Sequence, residues 1–342
     1  MRIVEVYGGG DGGGAARYMR DVLPGLGRTD DVSFLSLGRD HLAPDGAELH
    51  RAAQSRAFAA LLRLRPDVLH THGLRANLLG RVCGRMRGVP VVTTVHSFLA
   101  QDYRSRAAAE AALLLDGATL HLSRMLIAVS AAIADDLAGR GALAGSVVVV
   151  PNGIAPPPPA DLTTLPSLVP GRPLLAIAAR LHPSKGIDVA LRALPLLPQA
   201  KLAVMGEGPE RDALAELARD LGCGGRVHFL GYRQDLAAIV AASDLMLVPS
   251  RAEGFGLAAV EAMAQGVPVV ASDVGALPEV VGEGGVLFRS GDAVDLAHAV
   301  QLALAGRSAL SAAARSQARR FSLDTTVRAT RDALVQAMGV ER

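Results

Sequence analysis

The sequence predicts an α/β protein made of two doubly wound domains, each a parallel sheet with helices on its faces. Short apolar runs rich in β-branched residues alternate with longer amphipathic stretches, which is the pattern of βαβ units. A proline-dense segment near the middle interrupts the alternation, which then resumes. With 342 residues, 50% of them hydrophobic, the chain is long enough for about two domains with buried cores.

The first domain is expected over residues 1–155. Its strand candidates are the apolar runs at 3–7, 32–37, 68–71, 89–95, 125–129 and 147–150. Between them, residues 51–64 and 77–87 have the periodicity of helices. Apolar runs of this kind are typical of parallel strands that are buried on both faces of a sheet.

A proline-rich segment, PNGIAPPPPADLTTLPSLVPGRP, follows at residues 151–173. Its prolines exclude a helix and interrupt any sheet ladder, so we assign residues 156–173 as the interdomain linker. The second domain is expected over 174–322, with strand candidates at 174–179, 201–205, 227–230, 245–249 and 267–271. Residues 323–342 carry an apolar stripe, which predicts a terminal helix at 325–338 that packs back toward the first domain. Because open parallel sheets bind ligands at the carboxyl ends of their strands, function is expected in a cleft that both domains face.

The composition excludes several classes of protein. A net charge of +2 and a charged fraction of 20% do not demand nucleic acid, although a pI near 8.7 leaves room for an anionic partner. Cys83 and Cys223 offer neither a disulfide framework nor a zinc spacing. The N-terminus starts with a strand pattern, and no apolar run reaches the ~20 residues that span a bilayer. We therefore expect a cytoplasmic protein. The sequence does not decide whether it acts at the inner face of the membrane.

The stretch VEVYGGGDGGGAARYM, residues 4–19, raises the question of a dinucleotide-binding loop. Gly8, Gly10 and Gly13 fit G-x-G-x-x-G at the start of a helical pattern. In so glycine-dense a stretch the match carries little information. The strand candidate at 32–37 also ends without an acidic residue placed for a ribose, so a nicotinamide site is the less favoured interpretation.

The most informative stretch is SRAEGFGLAAVEAMAQGVPVVAS, which follows the strand candidate ending at residue 249. Gly254 and Gly256 stand between this strand and a helix that starts at about Leu257, so backbone N–H groups and the positive helix end can face an anion. Glu253 lies in the loop, and Glu261 follows just over one turn into the helix. The neighbours of Glu261 are apolar nearly all round, which predicts a buried carboxylate with a partner rather than a solvated one.

A second stretch, AARLHPSKGIDVALRAL, follows the first strand candidate of the same domain. Arg180 and Lys185 stand at the carboxyl end of that strand, with Gly186 at the start of a helix. Two cations in this place could clamp a diphosphate through charge-assisted hydrogen bonds. Surface charges on a loop are the alternative.

Four blocks of the second half, RLHPSKG, MGEGP, FLGYRQDL and EGFGLAAVEAMAQGVPVVASDVGALPEVV, resemble the signature of the group-1 retaining glycosyltransferases with the GT-B fold. Their order and spacing agree with the family over residues 151–288. The first half resembles the family more loosely, through GGG, DVLHTHG, VVTTVHS and VPNGI. The resemblance implies a nucleotide-diphosphate sugar as donor, bound mainly by the second domain, and transfer of the sugar with retention.

The resemblance also implies roles for individual residues. Arg180 and Lys185 would hold the donor phosphates, and Glu253 would bind sugar hydroxyls without acting as a covalent nucleophile. The residues implied in catalysis are Arg180, Lys185, Glu253 and His96. Those implied in donor binding are Gly206, Gly231, Tyr232, Gly254, Phe255, Gly256, Leu257 and Glu261, with Glu261 on the ribose and Gly231 and Tyr232 near the base.

In the first domain, Gly12, Gly13 and Gly14 would form a loop near the donor phosphates and the acceptor, and His96 would face the sugar. A core histidine is the alternative for His96, and Ser97 follows it where family members often carry Asp. A sugar polymer, a lipid carrier or a small metabolite would fit as acceptor. Arginines in this domain leave contact with an anionic membrane open.

No metal and no cofactor are expected. No two aspartates are separated by one residue, so the cations and the helix start would neutralise the diphosphate. His70 and His72 alternate on a strand end without further ligands, which makes a poor metal site. The alternatives to a transferase are a GT-B epimerase or phosphorylase, and a nucleotide-sugar-binding module that lost catalysis.

Overall fold

A computed structural model describes residues 1–8, 14–37, 48–51, 59–61, 63–103, 105–157, 171–233 and 235–339. The chain divides into two compact units: Met1–Ala155 with Leu323–Arg342, and Pro156–Ser322. Each unit contains one parallel sheet covered by helices. The predicted fold class, two Rossmann-like doubly wound domains, is therefore confirmed.

The sheet of the first unit has seven parallel strands in the order β3-β2-β1-β4-β5-β6-β7. They are β1 Arg2–Tyr7, β2 Asp31–Ser36, β3 Glu48–Arg51, β4 Val68–His72, β5 Val91–Val95, β6 Met125–Ala128 and β7 Val147–Val149. The described helices of this unit are α1 Gly14–Leu26, α2 Leu74–Arg87, α3 Arg106–Leu120, α4 Ala131–Gly139 and, from the end of the chain, α12 Leu323–Ala337.

The edge strand β3 corrects one prediction from the sequence. The helix expected over 51–64 does not begin at Arg51, because that residue ends β3. A four-residue edge strand with the sequence ELHR pairs with β2 on one side only and carries no apolar alternation, so its sequence gives no periodic signal.

The sheet of the second unit has six parallel strands in the order β10-β9-β8-β11-β12-β13. They are β8 Leu174–Ala178, β9 Lys201–Met205, β10 Val227–Gly231, β11 Leu245–Val248, β12 Val269–Ser272 and β13 Gly285–Phe288. The described helices are α5 Ile187–Ala193, α6 Arg211–Asp220, α7 Leu236–Ala241, α8 Leu257–Ala264, α9 Leu277–Val281, α10 Ala293–Ala305 and α11 Arg307–Ala318. The edge strand β13 is absent from the sequence prediction, since it is four residues long and follows a glycine-rich turn.

The terminal helix α12 packs in the core of the first unit. Its Leu334 is 0% exposed and belongs to the hydrophobic cluster that includes Met19 and Leu23 of α1. The Thr330 hydroxyl on the same helix is 2.9 Å from the hydroxyl of Tyr18. The last part of the chain is therefore part of the first unit's core. Within the described residues, no helix is both long and apolar enough to span a bilayer.

We expect the variant Leu334→Ala to lower the free energy of unfolding by about 2–5 kcal/mol, because it removes a fully buried side chain and leaves a cavity. The matched control is Leu114→Ala, since Leu114 lies in the same unit and is 74% exposed. The control should change stability by about 0.5 kcal/mol or less in denaturant unfolding followed by circular dichroism. Equal effects of the two variants would contradict the placement of α12 in the core.

Candidate functional site

In the second unit, β8 and β11 are neighbours although two strands and the three helices α5, α6 and α7 separate them in sequence. Leu175 pairs with Leu245 and Ala176 with Met246, in parallel register. The segments that leave these strands therefore emerge at the same edge of the sheet. Residues 179–186 and 249–256 carry most of the donor-site residues predicted from the sequence.

Lys185 and Glu253 form an ion pair between these two segments. The Lys185 Nζ atom lies 2.7 Å from Glu253 Oε2, and the Ser250 hydroxyl donates to the same oxygen at 3.1 Å. The Lys185 side chain is 24% exposed and that of Glu253 is 16% exposed. The sequence analysis assigned these residues separately to phosphate and sugar, whereas the structure joins them in one half-buried pair.

The backbones of the two segments approach closely at Gly186. This residue has φ +61°, and a Cβ atom there would overlap the carbonyl oxygen of Pro249. Arg251 ties the segments further, because its guanidinium donates two hydrogen bonds to the Asp188 carboxylate at 2.8 and 2.7 Å. Its backbone N–H also donates to the Ser184 carbonyl at 2.8 Å. These contacts hold together the backbones of the two segments that carry Lys185 and Glu253.

The helix α8 begins at Leu257, the residue at which the sequence predicted its start. The residue before it, Gly256, has φ +100° and carries no side chain that could cap the first N–H groups. Gly254 and Phe255 are buried, and the Phe255 ring packs edge-on against Phe321 with 5.5 Å between centroids. The N-terminal end of α8 therefore lies beside Glu253 with its position set by the core.

Glu261 lies on the half-buried side of α8 rather than in the core. The buried side of the helix consists of Ala259, Val260, Ala262 and Met263. The prediction of a buried carboxylate was therefore wrong, because the small alanines around Glu261 leave part of its side chain open to solvent. Because part of the Glu261 side chain is exposed, it is accessible to a bound ligand.

The remaining donor-site candidates follow β8, β9 and β10. Arg180 is exposed, and among the described residues no carboxylate forms an ion pair with it. The Gly206 N–H donates to the Gly231 carbonyl at 2.8 Å, and a Cβ atom on Gly206 would overlap the Ala179 carbonyl oxygen. Tyr232 is 74% exposed. These residues share the sheet edge that carries Lys185 and Glu253.

In the first unit, a buried cluster lies at the ends of β1, β4 and β5. The Glu5 carboxylate is 0% exposed and bonds His70 Nδ1 through Oε1 and His72 Nε2 through Oε2, both at 2.9 Å. His70 Nε2 is 2.7 Å from the Thr94 hydroxyl. The other nitrogen of His72, Nδ1, is 3.0 Å from His96 Nε2. His96, predicted from the sequence, is thus the outer member of a cluster.

The sequence analysis missed Glu5 and treated His70 and His72 as residues without further ligands, which is wrong. The ligand atoms of Glu5, His70 and His72 all lie within 4.8 Å of one another. They are, however, hydrogen-bonded in pairs at 2.9 Å, so the atoms that would face a metal ion face each other. The available signal was an acidic residue in the middle of the apolar strand RIVEVY.

Burial and the neighbouring charges set the protonation of this cluster. Burial raises the pKa of Glu5, but the charge and hydrogen bond of His70 and the hydrogen bond of His72 outweigh it and lower that pKa to about 2. Burial, with the charge of His70, lowers the pKa of His72 to about 4 despite its bond to Glu5. Burial and the charges of His72 and His70 also hold the pKa of His96 well below its usual range. At neutral pH, Glu5 is ionised and both His72 and His96 are neutral.

The predicted glycine loop of the first unit is described only at its end. Gly12 and Gly13 lie outside the described residues. Gly14 is the first residue of α1. Before the loop, the Gly8 N–H donates to the His72 carbonyl at 2.9 Å, and a Cβ atom on Gly8 would lie 2.6 Å from the Ala76 nitrogen.

Two family models match the chain. The model for "Glycosyl transferases group 1" matches residues 166–321, and that for "Glycosyltransferase Family 4" matches residues 12–156. A D-inositol 3-phosphate glycosyltransferase of Actinosynnema mirum is 33% identical over a match of 313 residues that covers 81% of this chain and 74% of the relative. A protein of the same name from Xylanimonas cellulosilytica is 33% identical over a match of 300 residues that covers 79% of this chain and 72% of the relative.

Solved structures with similar folds cover nearly all of the chain. Anabaena Alr3699/HepE in complex with UDP and glucose superposes with a TM-score of 0.85 and 24% identity, over 98% of this chain and 100% of that one. The sucrose-phosphate synthase of Thermosynechococcus elongatus gives a TM-score of 0.84 and 23% identity over 100% of both chains. At these identities the likeness shows the fold.

We expect Gly186→Ala to destabilise the second unit more than Gly222→Ala does. Both glycines have similar φ values, +61° and +66°, so both alanines carry the left-handed backbone cost of roughly 1–2 kcal/mol. At Gly186 the new Cβ atom would overlap the Pro249 carbonyl oxygen. At Gly222 no atom lies within 4 Å of the position of the new Cβ atom. Overpacking should add about 1–3 kcal/mol in denaturant unfolding. Equal losses would show that the two segments do not approach as described.

Proposed function

The chain belongs to the group 1 glycosyltransferases, and from this membership we propose that it moves a hexosyl group from a nucleotide-diphosphate sugar to an acceptor hydroxyl. We propose further that the anomeric configuration is retained and that no metal ion is required. The observation that carries the donor site is the Lys185–Glu253 ion pair, which stands beside the N-terminal end of α8. Retention is proposed from the resemblance of the signature blocks to retaining members of the family.

The donor site combines positive charge with carboxylates that accept hydrogen bonds. Lys185, Arg180 and the first N–H groups of α8 are suited to a diphosphate, because charge-assisted hydrogen bonds and a helix N-terminus both favour an anion. A phosphate oxygen that bonds Lys185 competes with Glu253 for the ammonium group. The carboxylate of Glu253 then becomes available to the hydroxyls of the sugar. Glu261, one turn further along α8, is assigned to the ribose.

The same groups account for catalysis. Cleavage of the anomeric C–O bond leaves negative charge on the departing diphosphate, and the proposed transition state is oxocarbenium-like. Lys185 and Arg180 stabilise that growing charge, which is the part that a metal ion would otherwise play. The acceptor hydroxyl attacks from the same face of the sugar, and its proton passes to the departing phosphate oxygen.

The names of the relatives indicate which substrates to test first. Alr3699/HepE was solved with UDP and with UDP and glucose, which supports UDP-glucose as the first donor. The relatives from Actinosynnema and Xylanimonas are named for D-inositol 3-phosphate, which supports that acceptor. We assign acceptor binding to the first unit, with His96 toward a substrate hydroxyl. We place the reaction in the cytoplasm, at the inner face of the membrane when the acceptor is lipid-linked.

Two other functions remain as alternatives with distinct products. An epimerase would convert the nucleotide sugar into its epimer without any acceptor, and a binding module would hold the nucleotide without turnover. Neither would release UDP in proportion to a glycosylated acceptor. Product analysis therefore separates all three.

We expect UDP, GDP or ADP to bind saturably in isothermal titration calorimetry with EDTA present. Glu261→Ala should weaken the binding of that nucleotide by about 10-fold or more, since a hydrogen bond to a charged group is lost. Glu216→Ala is the matched control, because Glu216 is an exposed glutamate on a helix of the same unit. Saturable binding that requires Mg²⁺ or Mn²⁺, or equal affinities of the two variants, would contradict this donor site.

We expect Lys185→Ala to lower kcat for transfer from UDP-glucose to D-inositol 3-phosphate by about 10²–10³, because one stabilising donor is removed from the departing diphosphate. Lys201→Ala is the control, since Lys201 is the only other lysine of the chain. Proton NMR of the product should give the α-anomer that UDP-glucose carries. A β-anomer would overturn retention, and equal rates for the two lysine variants would overturn the role of Lys185.

A further inference from the structure

Four side chains of the first unit form a hydrogen-bonded series that the donor site does not use. The series runs from His70 through Glu5 and His72 to His96, with three bonds of 2.9, 2.9 and 3.0 Å. Glu5 and His70 face each other across β1 and β4 in the pairing register. Each histidine in it has two ring nitrogens, and a neutral ring donates from one and accepts at the other.

The carboxylate fixes the first two rings. An ionised carboxylate accepts hydrogen bonds and donates none, so the two nitrogens that face Glu5 must carry hydrogens. His70 therefore carries a hydrogen on Nδ1, and its Nε2 lies 2.7 Å from the Thr94 hydroxyl. His72 is the Nε2–H tautomer, which leaves a lone pair on its Nδ1.

The bare nitrogen of His72 then fixes the third ring. His72 Nδ1 lies 3.0 Å from His96 Nε2, and two lone pairs at that distance would repel each other. His96 must therefore donate from Nε2, and as a neutral ring it keeps a lone pair on Nδ1. The ring of Tyr18, edge-on to His96 with 4.9 Å between centroids, helps to hold this orientation.

We propose that Glu5 acts through His72 to hold His96 as the Nε2–H tautomer, so that His96 Nδ1 accepts a hydrogen bond from a substrate hydroxyl. Among the described residues, no group lies within hydrogen-bond distance of His96 Nδ1, and this atom is buried. A buried acceptor without a protein partner is expected to accept a hydrogen bond from water or from a ligand. Glu5 and His72 are positioning residues in this arrangement.

The proposal defines the chemistry of the ligand group. A bare imidazole nitrogen accepts from O–H or N–H and repels the oxygens of a phosphate or a carboxylate. The group is therefore an O–H or N–H donor, and a hydroxyl of a sugar or another polyol is the one that the proposed substrates offer. That it belongs to a glycosyl donor or acceptor rests on the proposed function, whereas the tautomer itself does not.

The first test is a multiple-bond ¹H–¹⁵N correlation spectrum of the full chain labelled with ¹⁵N-histidine, at pH 7 and without ligand. The variants His70→Gln, His72→Gln and His96→Gln assign the three rings, and the exposed His298 serves as an internal reference. We expect a hydrogen on Nδ1 of His70 and the Nε2–H tautomer for both His72 and His96. A His96 ring that carries its hydrogen on Nδ1, or on both nitrogens, would overturn the proposal. So would zinc at one equivalent per chain whose removal by EDTA changes these signals.

The second test is Glu5→Gln, which replaces one acceptor oxygen by a donor of the same shape. The amide N–H group must face a ring nitrogen without a hydrogen, so that either His70 loses the hydrogen on Nδ1 or His72 and His96 reverse their tautomers together. Glu110→Gln is the control, since Glu110 is an exposed glutamate of the same unit, and it should change none of the three rings. Reversal of His96 without His72, or of no ring, would contradict the series. A failure of nucleotide binding would instead overturn the proposed function and leave these tautomers unchanged.

Discussion

The constraint on which both candidate sites depend is the point at which the strand order of each sheet reverses. In the first sheet that point lies between β1 and β4, and in the second between β8 and β11. At such a point the segments that leave the two strands turn to opposite sides and leave a crevice at the sheet edge. Residues distant in sequence meet there: Glu5 and His72 are 67 positions apart, and Lys185 and Glu253 are 68.

The two sites differ in how they treat charge. In the second unit, Lys185 and Glu253 keep 24% and 16% of their side chains exposed, so each can change its partner when an anion arrives. In the first unit, Glu5 is 0% exposed and its charge is held by two imidazoles that cannot leave. A buried charge is tolerated only when its hydrogen bonds are satisfied, which gives this cluster one stable arrangement. The partly exposed Lys185–Glu253 pair is suited to exchange of partners with a ligand. The buried cluster around Glu5 is suited to holding each hydrogen bond in one direction.

Much of the fold could be predicted from the sequence, because buried parallel strands are apolar along their whole length. The strand β9 at Lys201–Met205 and the start of α8 at Leu257 agree with the sequence prediction at the residue level. The short edge strands β3 and β13 could not be predicted, since strands of four residues at a sheet edge carry little apolar signal. The pattern of apolar residues in a sequence indicates which segments are buried. The conformation of β3 and β13 depends instead on backbone pairing with a neighbouring strand.

The candidate sites were predictable only in part, because the sequence indicates where strands end but not which residues of different strands meet. The sequence placed Lys185 and Glu253 at strand ends, but their direct pairing depends on the register of β8 against β11. The signal from Glu5 was one acidic residue in an apolar strand, and such a residue does not reveal which histidines will face it. The buried helix position predicted for Glu261 failed because alanine neighbours are too small to cover it.

Hydrogen–deuterium exchange with mass spectrometry, with and without saturating UDP, tests the central claim that the donor binds at the strand-order reversal of the second sheet. We expect slower exchange in peptides that cover residues 180–187 and 250–261, where amides of the two loops and the first turn of α8 lie. We expect little change in peptides of the edge strand β13 and of the β2–β3 edge. Slower exchange only in the first unit, or unchanged exchange in those two segments, would contradict donor binding at this place.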